Sequence, residues 1–260
     1  MSPWLTMRAA PNGAVVRLLC LHRAGGTAQD FAEWPDRICR DIHVCPVQLP
    51  GRLERFTEPV MDRMGPLARE VAGVAAELAG LPLVLFGECM GALLAFEVAR
   101  ELRRVGARPP ASLIVASYPP PDHPRTVPCY HDAPSQAFKD HLAAIGGVSE
   151  GALDNEEFFE LMLPMLRADF AVFETYRYVP EPPLVSEIHA IGGGDDRNVS
   201  EPLLEGWRHH TSGTFSRRMF PGDHSFVQMN PEVPAHVERL VLRHAARRRS
   251  HGATGSGEPS

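Results

Sequence analysis

The chain has 260 residues, 44% of them hydrophobic, enough for one large domain with a single core. Its net charge of −6 gives no reason to expect nucleic-acid binding, and no apolar run is long enough for a membrane span or a signal peptide. Five irregularly spaced cysteines with no Cys-x-x-Cys pair favour neither a disulfide framework nor a zinc site, and fit a reducing, cytoplasmic setting.

Ala14 to Leu21 predicts a buried strand, followed by a loop at His22-Arg23-Ala24-Gly25-Gly26. Gln29 to Arg40 reads as helical with a break near Pro35, and His43 to Leu49 as a strand stopped by Pro50-Gly51. Cys20 and Cys45, both in apolar runs, read as buried thiols. Met64 to Ala79 is an apolar-rich helix. Leu81 to Phe86 is a strand, and a helix begins at Gly91 with Leu94, Val98, Leu102 and Val105 on one stripe and Gly106 as its stop. Ser112 to Ser117 is the next strand. Residues 118–135 are then rich in proline, and a long helix-like stretch follows in which Pro164 is expected to kink or divide the helix. Its apolar content exceeds what one helix face needs. Two arrangements fit: helices lying flat on the sheet, or an inserted lid at about 119–183 whose inner face lines a channel. The alternation resumes with a strand at Ser186 to Ile191, a helix at Glu201 to His210 and a last strand at Phe215 to Phe220. The final helix is expected to have Pro234 in its first position and Arg247-Arg248-Arg249 at its end, where basic residues complement the helix dipole. Residues 1–249 thus read as one α/β domain built on a mostly parallel sheet with helices on both faces, and 250–260 as a disordered tail.

Between strand and helix stands Gly87-Glu88-Cys89-Met90-Gly91. Strand, Gly-x-nucleophile-x-Gly, helix is the nucleophile elbow of the α/β-hydrolases, in which two glycines permit close backbone approach around a sharp turn. The usual serine is here Cys89. A thiol nucleophile needs a base and an orienting acid, and in this fold both lie in loops after late strands, acid first. His224 follows a Pro-Gly turn just past the last strand and is the predicted base. Asp196 is the preferred acid; Asp195 is the close alternative, read as a turn former, and Asp223 a third. An oxyanion hole is expected from the backbone amides of Met90 and Ala24.

Five segments carry a family resemblance: His22 to Gly26, Gln48-Leu49-Pro50-Gly51-Arg52, Gly87 to Glu97, Leu166-Arg167-Ala168-Asp169-Phe170 with Glu174-Thr175-Tyr176, and Pro221-Gly222-Asp223-His224. Together they resemble the type II thioesterases of polyketide and nonribosomal peptide assembly lines. The resemblance implies an α/β-hydrolase fold with a helical lid. It also implies an acyl thioester substrate on the phosphopantetheine arm of an acyl or peptidyl carrier protein, removed by hydrolysis. No cofactor or metal is expected, and a monomer is the mild default. Three departures cluster at one mouth: Gly-Glu-Cys-Met-Gly replaces the family's Gly-His-Ser-Met-Gly, His22-Arg23 its Pro-His, and Gly51-Arg52-Leu53 its Gly-Arg-Gly.

Cysteine changes what the intermediate can do. Attack by Cys89 on a thioester yields another thioester, so the acyl group stays activated for water, an amine, an alcohol or a second thiol. Hydrolysis is therefore the first expectation, acyl transfer or cyclisation the second, and a non-catalytic carrier-binding homologue the third. The dienelactone hydrolases also use Gly-x-Cys-x-Gly, but the Gln-Leu-Pro-Gly-Arg and lid segments disfavour them. Glu88 either points away from the site, with backbone or Arg23 as its partner, or acts as an auxiliary base or substrate contact at the mouth.

Overall fold

The computed structural model describes residues 2–6, 10–78, 80–125, 128–145 and 150–252. Six strands, β1 (Val16–Leu21), β2 (Ile42–Pro46), β3 (Leu83–Glu88), β4 (Ser112–Ala116), β5 (Glu187–Gly193) and β6 (Phe215–Phe220), form one sheet in the order β2-β1-β3-β4-β5-β6. Every neighbouring pair is parallel. The helices are α1 (Trp34–Arg37), α2 (Met64–Glu77), α3 (Met90–Arg104), α4 (Ser135–Ile145), α5 (Glu150–Asp154), α6 (Glu156–Glu174), α7 (Glu201–Glu205), α8 (Phe226–Met229) and α9 (Glu232–Gly252). This is the α/β-hydrolase fold expected from the sequence.

Strand alternation divides the core in two. Leu19, Leu21, Leu85, Leu113 and Val115 point to one face, where Leu67 and Val71 of α2 and Leu94 and Val98 of α3 cover them. Val16, Leu18, Cys20, Val84, Phe86 and Ile114 point to the other, under Trp34 of α1 and Val233, Val237 and Val241 of α9. Both faces are covered, which is why the strands read as continuous apolar runs. Cys20 and Cys45 are buried, and burial pushes both thiols up.

Helix α3 ends where Gly106 predicts. Gly106, at φ +68°, donates to Arg103 O, and Ala107 donates to Leu102 O, the paired bonds of a left-handed helix stop. Pro164 does not divide its helix. It sits inside an unbroken α6, and the carbonyl it leaves without a donor belongs to exposed Glu160, where water can satisfy it. The predicted helix after Gln29 is shorter, a 3-10 turn at Ala28–Phe31 followed by α1. The helix predicted at Glu201 to His210 is α7 followed by a 3-10 turn, and the last helix starts at Glu232 and runs to Gly252, past the expected start of the tail. Of that tail, residues 253–260 lie outside the described residues.

Helices α4 to α6 carry a separate apolar cluster of Phe138, Leu142, Leu153, Phe159, Leu166 and Phe170, joined by Ala24 from the loop after β1. Val172, near the end of α6, belongs instead to the core around α3. No helix among the described residues is long and apolar enough to cross a membrane.

Candidate active site

In open parallel sheets ligands bind beyond the carboxyl ends of the strands, where the strand order reverses. Here that point lies between β1 and β3, which pair side by side with Leu21 opposite Gly87. The loop after β1 and the elbow after β3 are therefore neighbours. Cys89 occupies the elbow at φ 51°, ψ −119°, a strained conformation for a residue with a side chain, and its N–H donates to Ala116 O at 2.8 Å. A Cβ on Gly87 would stand 2.0 Å from Gly91 O, and one on Gly91 would stand 2.2 Å from Leu21 O. No other residue fits either place, which is the physical content of the motif. Cys89 is partly exposed.

The far strands deliver the partners. Gly193 and Phe220 end β5 and β6 side by side, and the loops that follow carry Asp196 and His224. His224 Nδ1 donates to Asp196 Oδ2 at 2.8 Å. Asp196 Oδ1 accepts from the N–H groups of Asn198 and Val199 at 2.8 and 3.3 Å, so the buried carboxylate is held at both oxygens. Burial opposes charge on the His224 ring. A hydrogen bond and the charge of Cys89, together with Asp196, outweigh it, and the proton affinity of the imidazole rises to about 11. The His224 carbonyl also accepts from Ser117 Oγ at 3.2 Å. Of the other two acid candidates, Asp195 is exposed and Asp223 accepts from Ser225 N–H, a local turn bond.

Glu88 is wholly buried, and Gln228 Nε2 donates to its Oε2. Arg23 does not pair with it; Arg23 Nε stands 3.9 Å from Asp30 instead. Glu88 Oε1 has no hydrogen-bond partner, and burial pushes the carboxyl up to about 7 against the opposing pull of Arg23.

Four residues given no role by sequence reasoning bind the site together. Asp169 of α6 receives a bidentate pair from Arg52 at 2.7 and 2.8 Å, and its Oδ2 also accepts Gly25 N–H at 2.8 Å. Arg52 Nη1 donates to Gly26 O at 3.0 Å. The pair is almost fully buried. His22 Nδ1 donates to Arg23 O at 2.8 Å, and Gly26 N–H donates to the same carbonyl. Burial, then Arg52, lowers His22 to about 4 and keeps its ring neutral. Gln228 is the fourth. Asp169 and Arg52 lie inside recognisable segments, but 117 residues separate them and neither segment points to the other.

A serine is also bonded to a histidine in this molecule, but elsewhere. Ser112 Oγ lies 3.0 Å from His244 Nε2 at the start of β4, wholly buried, at the end of the sheet opposite to Cys89.

A profile of the thioesterase domain matches residues 16–241. Linear gramicidin dehydrogenase LgrE of Brevibacillus parabrevis is 37% identical over 234 residues, covering 89% of each chain. The RedJ thioesterase from the prodiginine pathway of Streptomyces coelicolor is 37% identical, with a TM-score of 0.81 over 88% of this chain and 87% of that one. The type II thioesterase BorB from the borrelidin cluster is 31% identical, with a TM-score of 0.82 over 93% of this chain and 97% of that one.

Proposed function

The chain belongs to the thioesterase domain family, and on that premise we propose that it hydrolyses acyl thioesters carried on the phosphopantetheine arm of acyl or peptidyl carrier proteins, through a Cys89–His224–Asp196 triad. One observation carries the reading: a partly exposed thiol on a strained elbow, beside an imidazole that a buried carboxylate orients. The similar thioesterases from the prodiginine pathway and the borrelidin cluster support the substrate class. The dehydrogenase in the name of the Brevibacillus relative has no counterpart in the loop after β1. His22-Arg23-Ala24-Gly25-Gly26 lacks the G-x-G-x-x-G turn that seats a dinucleotide pyrophosphate.

The Cys89 sulfur attacks the thioester carbonyl while the ring of His224 holds the proton. The carbon–sulfur bond to the pantetheine arm breaks, and that departing sulfur takes the proton from His224. Water then loses a proton to His224 and attacks the acyl-Cys89 carbonyl; carboxylate leaves and the thiol is restored. The oxyanion of each tetrahedral state is received by the amides of Met90 and Ala24. Met90 opens α3, so the helix dipole adds to its donor. The Ala24 donor is aimed indirectly. In a trans peptide the N–H points opposite to the preceding C=O. Arg23 C=O is held by His22 Nδ1 and Gly26 N–H, so Ala24 N–H is turned the other way. Asp169 fixes the next peptide through Gly25 N–H. Helices α4 to α6 then form a lid whose cluster includes Ala24, which ties the cover to the oxyanion loop.

A Ser112 nucleophile is less well supported. Its hydroxyl is wholly buried, and it stands at the start of β4, the end of the sheet where this fold keeps no substrate. Acyl transfer is the second reading of the same site, favoured by the thioester character of an acyl-Cys89 intermediate. The test is intact-protein mass spectrometry of both partners after mixing with acyl-loaded carrier protein. An adduct on Cys89 that clears in water alone supports hydrolysis. An adduct that persists until an amine or thiol is added supports transfer. Full turnover by Cys89→Ala would overturn both.

A further inference from the structure

The underside of the sheet holds a second group of titratable side chains that the mechanism does not use. Glu187 and His189 are two residues apart on β5 and therefore project to the same face. His244 meets them from α9. Glu187 Oε2 lies 3.4 Å from His189 Nε2 and 3.9 Å from His244 Nε2, and one ligand atom from each of the three falls within 4.8 Å of the other two. All three residues are buried, His189 the most deeply at 1% exposure.

We propose that Glu187, His189 and His244 bind one divalent transition-metal ion, zinc by the ligand set, which pins the last helix to the sheet. The decisive atom is His189 Nε2, a buried nitrogen that makes no hydrogen bond and lies 3.4 Å from a carboxylate oxygen. Such groups are rare because each carries a desolvation cost, and a cation between nitrogen and oxygen removes it. The other nitrogen of the same ring is already committed. His189 Nδ1 lies 2.6 Å from Ser216 Oγ on the neighbouring strand, the partnership that presents the opposite nitrogen of a metal-bound histidine as a free lone pair.

Two imidazoles and one carboxylate are a known zinc donor set, with bonds of about 2.0–2.2 Å. A tetrahedral ion at that radius needs ligand atoms about 3.3 Å apart. The Glu187–His189 edge already meets this, the Glu187–His244 edge is about half an ångström longer, and all three edges lie within 4.8 Å, so a side-chain movement of His244 closes the set. Ser112 Oγ, now bonded to His244 Nε2, is freed by that movement and becomes the adjacent oxygen available as a fourth ligand. The contrast with the cluster of Cys129, His131 and Glu174 is instructive. Glu174 there already accepts from Arg125, the N–H groups of Tyr130 and His131, and His131 Nδ1, so no lone pair is left to demand an ion.

The test uses the full-length chain carrying Cys89→Ala and Cys129→Ala, which removes thiol ligands at the active site and on the exposed loop. After chelator treatment, Zn2+ is titrated calorimetrically and Co2+ by its visible absorption. One equivalent is expected to bind, with a rise in thermal midpoint over the chelator-treated protein. Glu187→Gln should weaken binding at least ~100-fold, and Ser216→Ala, which keeps every ligand, by about 10–100-fold. His131→Ala should leave it unchanged. Absence of stoichiometric binding would overturn the assignment, as would binding that Glu187→Gln and Ser216→Ala leave intact or that His131→Ala abolishes. Because Ser216→Ala retains all three donors, a folding defect in Glu187→Gln cannot protect the idea.

Discussion

The replacement Glu88→Gln tests the buried acid that precedes Cys89. Burial raises the folded-state value of Glu88 from 4.5 to about 7. An unfolded chain releases this proton near its ordinary value, while the folded chain holds it to about 7. Between those limits the native state binds more protons, so stability falls as pH rises through the window and the whole penalty is present above it. At 1.36 kcal/mol per unit, the shift corresponds to about 3 kcal/mol, an upper value because Gln228 and Arg23 relax toward the anion. Glutamine matches the protonated shape, still accepts from Gln228 Nε2 and never ionises. Urea unfolding at pH 5 should therefore find wild type and variant nearly equal, and at pH 8 should find Glu88→Gln the more stable by roughly 1–3 kcal/mol. A stability difference that is flat from pH 5 to pH 8, or a variant less stable at pH 8, would refute the assignment of a protonated carboxyl to this position.

Three further outcomes follow from the same geometry. Asp169→Asn removes the anion from a buried pair and should cost about 3 kcal/mol or more in urea unfolding while lowering kcat more than it changes KM; Arg52→Met in combination should restore stability without restoring kcat, and a double variant with full turnover would separate the pair from the oxyanion loop. Asp196→Asn should keep the fold and lower kcat roughly 10²-fold or more, because the ring of His224 loses the acceptor that fixes its tautomer, with steady-state hydrolysis of a thioester substrate as the assay. Gly91→Ala should destabilise the protein by at least about 2 kcal/mol, since its Cβ would meet the Leu21 carbonyl at 2.2 Å, and an unchanged urea midpoint would contradict the close approach.

Much of the site could be read from local chemistry. The two elbow glycines, the cysteine between them and the Pro-Gly turn before His224 are each short-range signals, and the structure hydrogen-bonds His224 to Asp196. Local reasoning separated Asp196 from Asp195 only weakly, because both are loop residues and burial decides between them. The direction of Glu88 was not legible. It depends on burial, and Gln228, its partner, lies 140 residues away. The Arg52–Asp169 pair was hidden for the same reason. That Pro164 leaves α6 undivided was not legible, because the cost of a helix proline depends on whether water reaches the carbonyl it abandons, a property of the exposed Glu160 side of α6 rather than of the local sequence.

The bond from Asp169 to Gly25 also makes the cover and the reaction floor one mechanical piece. A displacement of α6 would therefore travel into the strip of backbone beside Cys89.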